Sequence, residues 1–248
     1  MNIGTSEALR TLSHKPFIDE HRAAHFFCYY AGLGNWLPGG AVSNAGILLR
    51  WFRDNFSHQE VAEAKRRGVD PYEVILEKAA KIKPGAEGLL MLPFFSGERF
   101  PIRDSKARGV LFGLTLQHGK AHIARAILES VVFTLRWIME SIQEHNTKID
   151  EVRVGGGGAR SSVWRKIQAD ILGKPIVYTK VEESSALGAV MLAAISLGIY
   201  DDLEESSKNM VHTVGRQEPD LKIHHKYRNN FEMYKEYYYA SRKFFEEL

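Results

Sequence analysis

The chain holds a single cysteine, Cys28, among its 248 residues. One thiol excludes an intrachain disulfide and a multi-cysteine metal site, and the expectation is a buried, reduced thiol in a reducing compartment. Charge of one sign is also scarce, since 33 Lys and Arg against 30 Asp and Glu leave a formal +3. The densest basic run, Lys65-Arg66-Arg67, precedes Gly68. It reads as a helix end with cations near the negative end of the dipole, not as a nucleic-acid patch. Long hydrophobic runs are missing: the longest, 186–198, is about 13 residues and too short to span a bilayer. The N-terminus has no basic-plus-apolar signal pattern. A cytoplasmic protein with neither nucleic acid nor membrane as partner is therefore expected.

Several chemistries lack their residues. The four glycines at 155–158 are followed by no acidic residue closing a strand about 20 residues on, so they are not a dinucleotide fingerprint. Gly113 to Ala121 has one residue too many for a phosphate loop, and Ala where Ser or Thr should hold magnesium. No nucleophile elbow or zinc-protease motif occurs. His224-His225 has no third ligand in register.

What is present is ordinary for a globular chain, 44% apolar and 25% charged, long enough for one large domain or two small ones. Residues 8–12 and 25–31 read as strands, and the glycines and Pro38 between 32 and 40 as a loop. A helix over 44–55 is expected from Ser43 or Asn44 as cap, with Ile47, Leu48, Trp51 and Phe52 on its apolar face. Two short helices at 58–67 and 71–81 follow, the second opened by Pro71. Residues 89–95 form an apolar strand and 96–108 a loop. Ile123, Ile127, Val131, Leu135, Ile138 and Ile142 recur at steps of three and four and predict a long helix over 120–145. Strands at 151–154 and 175–179 alternate with helices at 162–172 and 184–197. A charged, aromatic helix from about 220 is expected to pack on the outside. The order argues for an α/β fold with a mixed sheet.

Val152 to Ser162 reads V-R-V-G-G-G-G-A-R-S-S ahead of a helix. Glycines let a backbone approach a ligand, and the helix start offers free N–H groups to an anion or a flat ring. Taken alone, the segment is equally a tight strand–helix junction. Gly4-Thr5-Ser6 offers backbone and two hydroxyls after a strand. Residues 109–129 are the most specific. Gly109, Leu111 and Gly113-Leu114 are followed by His122-Ile123, two residues, then Ala126-Ile127-Leu128-Glu129.

That order resembles the C-terminal signature of the FGGY family of carbohydrate kinases. The other segments follow in the family's order, from Ile3 to about Tyr200. The resemblance implies a ribonuclease-H-like domain of the actin-like ATPase superfamily, with a mixed sheet flanked by helices. The 155–161 segment resembles the adenosine motif. It implies Gly156, Gly157 and Gly158 under the nucleotide and Ser161 near the base, a role compatible with an ordinary helix N-cap. Gly4, Thr5 and Ser6 resemble the second phosphate-binding turn. Glu7 departs from the Gly-Ala common there, and its carboxylate would repel phosphates unless a cation intervenes. Residues 39–54 resemble the segment closing over the nucleotide, with Gly46 against phosphate or ribose and Arg50 reaching the adenosine. The alternative for Arg50 is an exposed pair with Asp54. Residues 182–189 resemble a connecting motif whose small residues let helices cross at an interdomain hinge. Residues 97–101 resemble a loop near the cleft, read here as a surface loop with an Arg–Glu pair. His122 reads as a structural, helix-terminal His.

The implied reaction is transfer of the ATP γ-phosphoryl group to a sugar hydroxyl with Mg2+, gluconate first and xylulose or another pentulose next. The implied organisation makes 1–248 the nucleotide-side, C-terminal domain, without the N-terminal sugar-binding domain or its catalytic aspartate. Such a chain is expected to bind ATP or ADP weakly and to phosphorylate nothing alone. One other class stays open, a non-catalytic nucleotide-binding or homodimerising module; a chaperone-like or filament-forming actin relative is a third, against which the signature at 109–129 argues.

Overall fold

The computed structural model describes every residue except Thr5, Arg22 and Glu182, and of Asn2, Ile3, Gly157 and Gly158 the backbone only. The chain opens with β1 (Asn2–Ile3), β2 (Glu7–Arg10), β3 (Phe27–Gly32) and β4 (Asn35–Val42). Helices α1 (Gly46–Phe56), α2 (His58–Arg67) and α3 (Pro71–Ala80) follow, then the hairpin β5 (Leu90–Pro93) and β6 (Gly109–Phe112). The long α4 (Lys120–Gln143) leads to β7 (Val152–Val154), α5 (Ser162–Leu172), β8 (Ile176–Thr179) and α6 (Ser184–Ser196). The chain ends in α7 (Leu203–Met210), β9 (Thr213–Gln217) and α8 (Leu221–Phe245).

The first four strands form an antiparallel sheet in the order β1-β2-β4-β3, and β7-β8-β9 form a second sheet whose first pair is parallel. Met1 joins the two. Its amine donates to Arg153 O at 2.6 Å and its carbonyl accepts from Gly155 N at 3.0 Å, a parallel pattern that sets β1 beside β7. The mixed α/β architecture is as the sequence implied.

The expected loop at 32–40 is instead the turn and second strand of a hairpin. Leu33 and Gly34 both have positive φ, 52° and 73°, as a tight hairpin turn requires. Gly39 and Gly40 belong to β4 because no side chain fits. A Cβ on Gly39 would lie 2.4 Å from Leu9 O, and one on Gly40 2.8 Å from Ile138 Cδ1. Cys28 is a second correction. It sits half-buried on the edge strand β3, opposite Pro38, not in the core.

Helix α4 is the axis of the core, buried nearly throughout from Ala124 to Ile142 and packed on α1, α3, α5, α8, β4 and β5. Helix α8 does more than lie outside. Tyr227, Phe231, Tyr234 and Tyr238, spaced by four, three and four, turn a buried aromatic stripe inward. Each tyrosine hydroxyl on that stripe finds a partner: Glu129 Oε1 at 2.6 Å, Thr134 Oγ1 at 2.7 Å and Asp104 Oδ2 at 3.0 Å.

Candidate functional site

Strands β1 and β7 run in parallel, so their carboxyl ends open on one edge, the place where α/β sheets collect ligands. The turn at 4–6 leaves β1 there, and the glycine run leaves β7. Strand β4 ends on the same edge, because Glu7 pairs with Val42. The start of α1 follows, and Gly46 N donates to Gly4 O at 3.1 Å. Gly4, Ser6, Gly46 and the run containing Gly156, Gly157 and Gly158 are therefore brought together. Thr5 lies outside the described residues. Gly156 has φ +81°, a conformation that L side chains rarely adopt, and a short 3-10 turn, Gly157–Arg160, carries the chain to α5.

Ser161 is the N-cap of α5, its hydroxyl accepting from Trp164 N at 3.2 Å. Arg50 stands on the exposed side of α1 and faces Asp54 at 3.8 Å, the local pairing that the sequence left open. Neither Ser43 nor Asn44 caps α1: Ala45 is the N-cap and makes no side-chain cap bond. Both residues are engaged elsewhere. Asn44 Nδ2 donates to Gly97 O at 2.8 Å, and Ser43 N to Glu98 Oε1 at 2.7 Å.

Those bonds correct the reading of 97–101. Glu98 is only 4% exposed and makes no ion pair with Arg99 among the described residues. Its Oε1 takes the backbone N–H groups of Ser43 and Arg99, and its Oε2 is buried without a partner. Burial pushes the carboxyl above the usual range, against the pull of those donors.

Glu7 is another buried acid. It is fully buried and meets Gln168 Nε2 of α5 at 3.5 Å, so it points into the interior and away from an approaching phosphate. Burial raises its carboxyl to about 8, and the Met1 ammonium works the other way.

Arg165 is a site residue that motif reading missed. Its Nη1 donates to the carbonyls of Ala159 and Arg160, and its guanidinium lies 4.0 Å over the Tyr178 ring. It pins the glycine turn from the first turns of α5. The only sequence signal was an arginine four residues past the cap. His122 is structural, as expected: Gly119 N donates to its Nδ1 at 3.0 Å where α4 begins.

Two cavities border these elements. One of about 360 Å³ lies between the sheet and α6, lined by Ala8, Val154, Thr179, Leu187 and Met191 among others. One of about 250 Å³ opens beside α5, lined by Ala80, Arg125, Ser162, Val163, Lys166 and Ile167. The second adjoins Ser161.

The model of the C-terminal domain of the FGGY family of carbohydrate kinases matches residues 1–197. The chain belongs to that family. It is 39% identical over 229 residues to the gluconokinase of Bacillus licheniformis, covering 92% of this chain and 44% of that one. It is 31% identical over 237 residues to the xylulose kinase of Bacillus subtilis, covering 96% of this chain and 45% of that protein. The crystal structure of a gluconate kinase from Lactobacillus acidophilus superimposes with a TM-score of 0.86 at 33% identity, over 97% of this chain and 46% of that chain. This FGGY chain thus spans less than half the length of the relatives it matches. It is a gluconokinase-like carbohydrate-kinase domain with the actin-like ATPase fold. No described helix is long and apolar enough to cross a membrane.

Proposed function

We propose that this chain is the nucleotide-binding half of a two-domain kinase that transfers the γ-phosphoryl group of ATP to a hydroxyl of a sugar or sugar acid. The nucleotide lies along the shared edge. Gly4, Thr5 and Ser6 face its phosphates, Gly46 its phosphates or ribose, Gly156, Gly157 and Gly158 its ribose and base, and Ser161 the base. Arg50 reaches the adenosine by leaving its loose contact with Asp54. The observation that carries this reading is the convergence of three chain segments. The bond from Gly46 N to Gly4 O at 3.1 Å and that from Gly155 N to Met1 O at 3.0 Å tie them together.

The donor set suits the ligand. Helix α1 starts with no side-chain cap and no acid in its first turn, which leaves positive dipole for an anion. Magnesium fits the same edge through the phosphate oxygens, because Glu7 and Glu98 face inward and are committed there. Catalysis in this class is mostly positioning and charge neutralisation. The general base, an aspartate, belongs to the sugar-side domain, and the acceptor is gluconate first and a pentulose next. The similarity to a gluconokinase over nearly the whole chain supports that order. The compartment is the cytoplasm.

Calorimetric titration of ATP and ADP into the chain tests the reading, with a coupled assay on gluconate and xylulose beside it. Weak binding without turnover is expected, and full-length kinase carrying this segment should turn over gluconate. Absence of any nucleotide binding would sink the proposal and leave a dimerising module in its place.

A further inference from the structure

We infer that Arg99 is a phosphate-contacting residue of this site, its guanidinium bearing on the terminal phosphates of the bound nucleoside triphosphate; the assignment rests on the nucleotide reading above. Register gives the location. Glu7 pairs with Val42 at the end of the ladder, and Ser6 and Ser43 are the residues that continue from that pair on the two chains. Arg99 Nε lies 3.4 Å from Ser43 Oγ. The guanidinium therefore sits beside the proposed phosphate turn, although 93 positions of sequence separate Arg99 from Ser6.

The loop that presents it is locked. Glu98 and Asp104 exchange backbone bonds of 2.8 and 2.9 Å across its neck. Asn44, two residues before α1, holds it by donating to Gly97 O at 2.8 Å and accepting from Ser96 Oγ at 3.0 Å. Gly97 has φ +71°, and a Cβ there would lie 2.6 Å from Ser105 O, so the neck cannot widen around a larger residue. Glu98 then fixes the next peptide, its Oε1 accepting from Arg99 N at 2.8 Å. The Glu98 oxygen that meets Arg99 is thus spent on main-chain donors, and the other is buried away from the guanidinium.

The charge on Arg99 is left available. Among the described residues no carboxylate oxygen lies within 4 Å of its guanidinium, a state it shares with Arg103 and Arg108 of the same loop, while Arg50, Arg53, Arg67, Arg125, Arg136 and Arg216 each have such a partner. Arg99 is exposed and its side chain has one weak contact. A planar, permanently charged fork on a fixed backbone is suited to phosphate oxygens. A triphosphate brings more charge to this point than a monophosphate, which gives the assignment its test.

Titration of ATP, ADP and AMP into the chain and into Arg99→Ala and Arg99→Lys, at one ionic strength, reads it directly. Arg99→Ala should weaken ATP about tenfold and AMP by less than about twofold, with Arg99→Lys between. Thermal melts of both variants should overlay the parent, since the side chain is exposed. Equal loss for ATP and AMP, or no loss for ATP, would overturn the role of Arg99 while leaving the nucleotide site standing. A parent chain that binds none of the three would remove the site and this inference with it.

Discussion

Glu7 carries the clearest pH signature in the molecule. Burial raises its carboxyl from the ordinary 4.5 to about 8. Between these values the folded state holds a proton that the unfolded chain has released, so stability is greatest below the lower one and declines as pH rises through the upper one. The decline amounts to a few kcal/mol for a group buried this fully. Glu7→Gln mimics the protonated acid and keeps a partner for Gln168. Urea denaturation from about pH 5 to about pH 8 should show a falling midpoint for the parent and a flatter line for the variant, with the variant ahead at the alkaline end. Parallel lines would mean that Glu7 stays charged in the fold. A further buried acid, Glu129, gathers Arg125 Nε at 2.5 Å, the Tyr227 hydroxyl at 2.6 Å and Gly85 N at 3.1 Å. Tyr227→Phe removes one donor to Glu129 and the acceptor for Arg125 Nη2. A loss of about 1–3 kcal/mol in denaturant is expected, and a neutral result would show that water replaces the hydroxyl. The inward turn of Glu7 was legible and went unread. Strand alternation puts Glu7 on the face of Leu9, which is core, and Ala8 and Arg10 on the other. The role of Glu98 was not legible, because its carboxylate takes the N–H of Ser43, 55 positions away, while Asn44 holds the neighbouring Gly97 across 53.

Elements whose register is written in apolar spacing were readable, and those defined by a partner were not. Helix α4 and the short helices α2 and α3 follow from periodicity, Gly68 and Pro71. Strand β4 carries the Gly and Pro of a loop, and only its neighbours explain it. Leu9 and Arg10 press on Gly39, and Ile138 on Gly40. Strand β9 escapes for the same reason: a Cβ on Gly215 would lie 2.1 Å from the Tyr178 hydroxyl of β8, a contact invisible along the chain. The two glycines of β4 give a graded test. Gly39→Ala drives a methyl at the Leu9 carbonyl, whereas Gly40→Ala meets the buried side chain of Ile138, Cδ1 nearest. Overpacking costs about 1–3 kcal/mol, and Gly39→Ala belongs at or beyond the upper end. Adding Ile138→Val removes the Cδ1 that crowds position 40. It should recover part of the loss in Gly40→Ala and none of that in Gly39→Ala. Denaturant midpoints of the two single variants and the two doubles decide it, and equal recovery in both would contradict the packing described here.

On the scale of the whole molecule, the apolar helix α6 stands out as uncovered. Only Met191 and Ala194 are buried, while Val190, Leu192, Leu197 and Ile199 in and beyond it are 54, 41, 77 and 62% exposed. A helix apolar on all sides belongs between two layers, and here its packing partner is α7, with the cavity lined by Ala8, Val154, Thr179, Leu187 and Met191 between it and the strands. Its small residues, Ala186, Gly188 and Ala189, suit a close helix crossing, in keeping with the hinge role that its motif implied. The relatives carry more than half their length outside the matched region, and the proposed sugar-side domain is the layer that fits. The consequence for the chain by itself is specific. Val190→Gln and Leu192→Gln alter surface that is already in water, so each should shift stability by less than about 0.5 kcal/mol. Both should lower the binding of a hydrophobic dye, because each removes an exposed apolar side chain. In a full-length kinase the same changes would place an amide in a closed interface, and domain closure and turnover should suffer while the affinity of this half for ATP holds. A loss of more than about 1 kcal/mol in the isolated chain would show instead that α6 folds back and buries this face on its own.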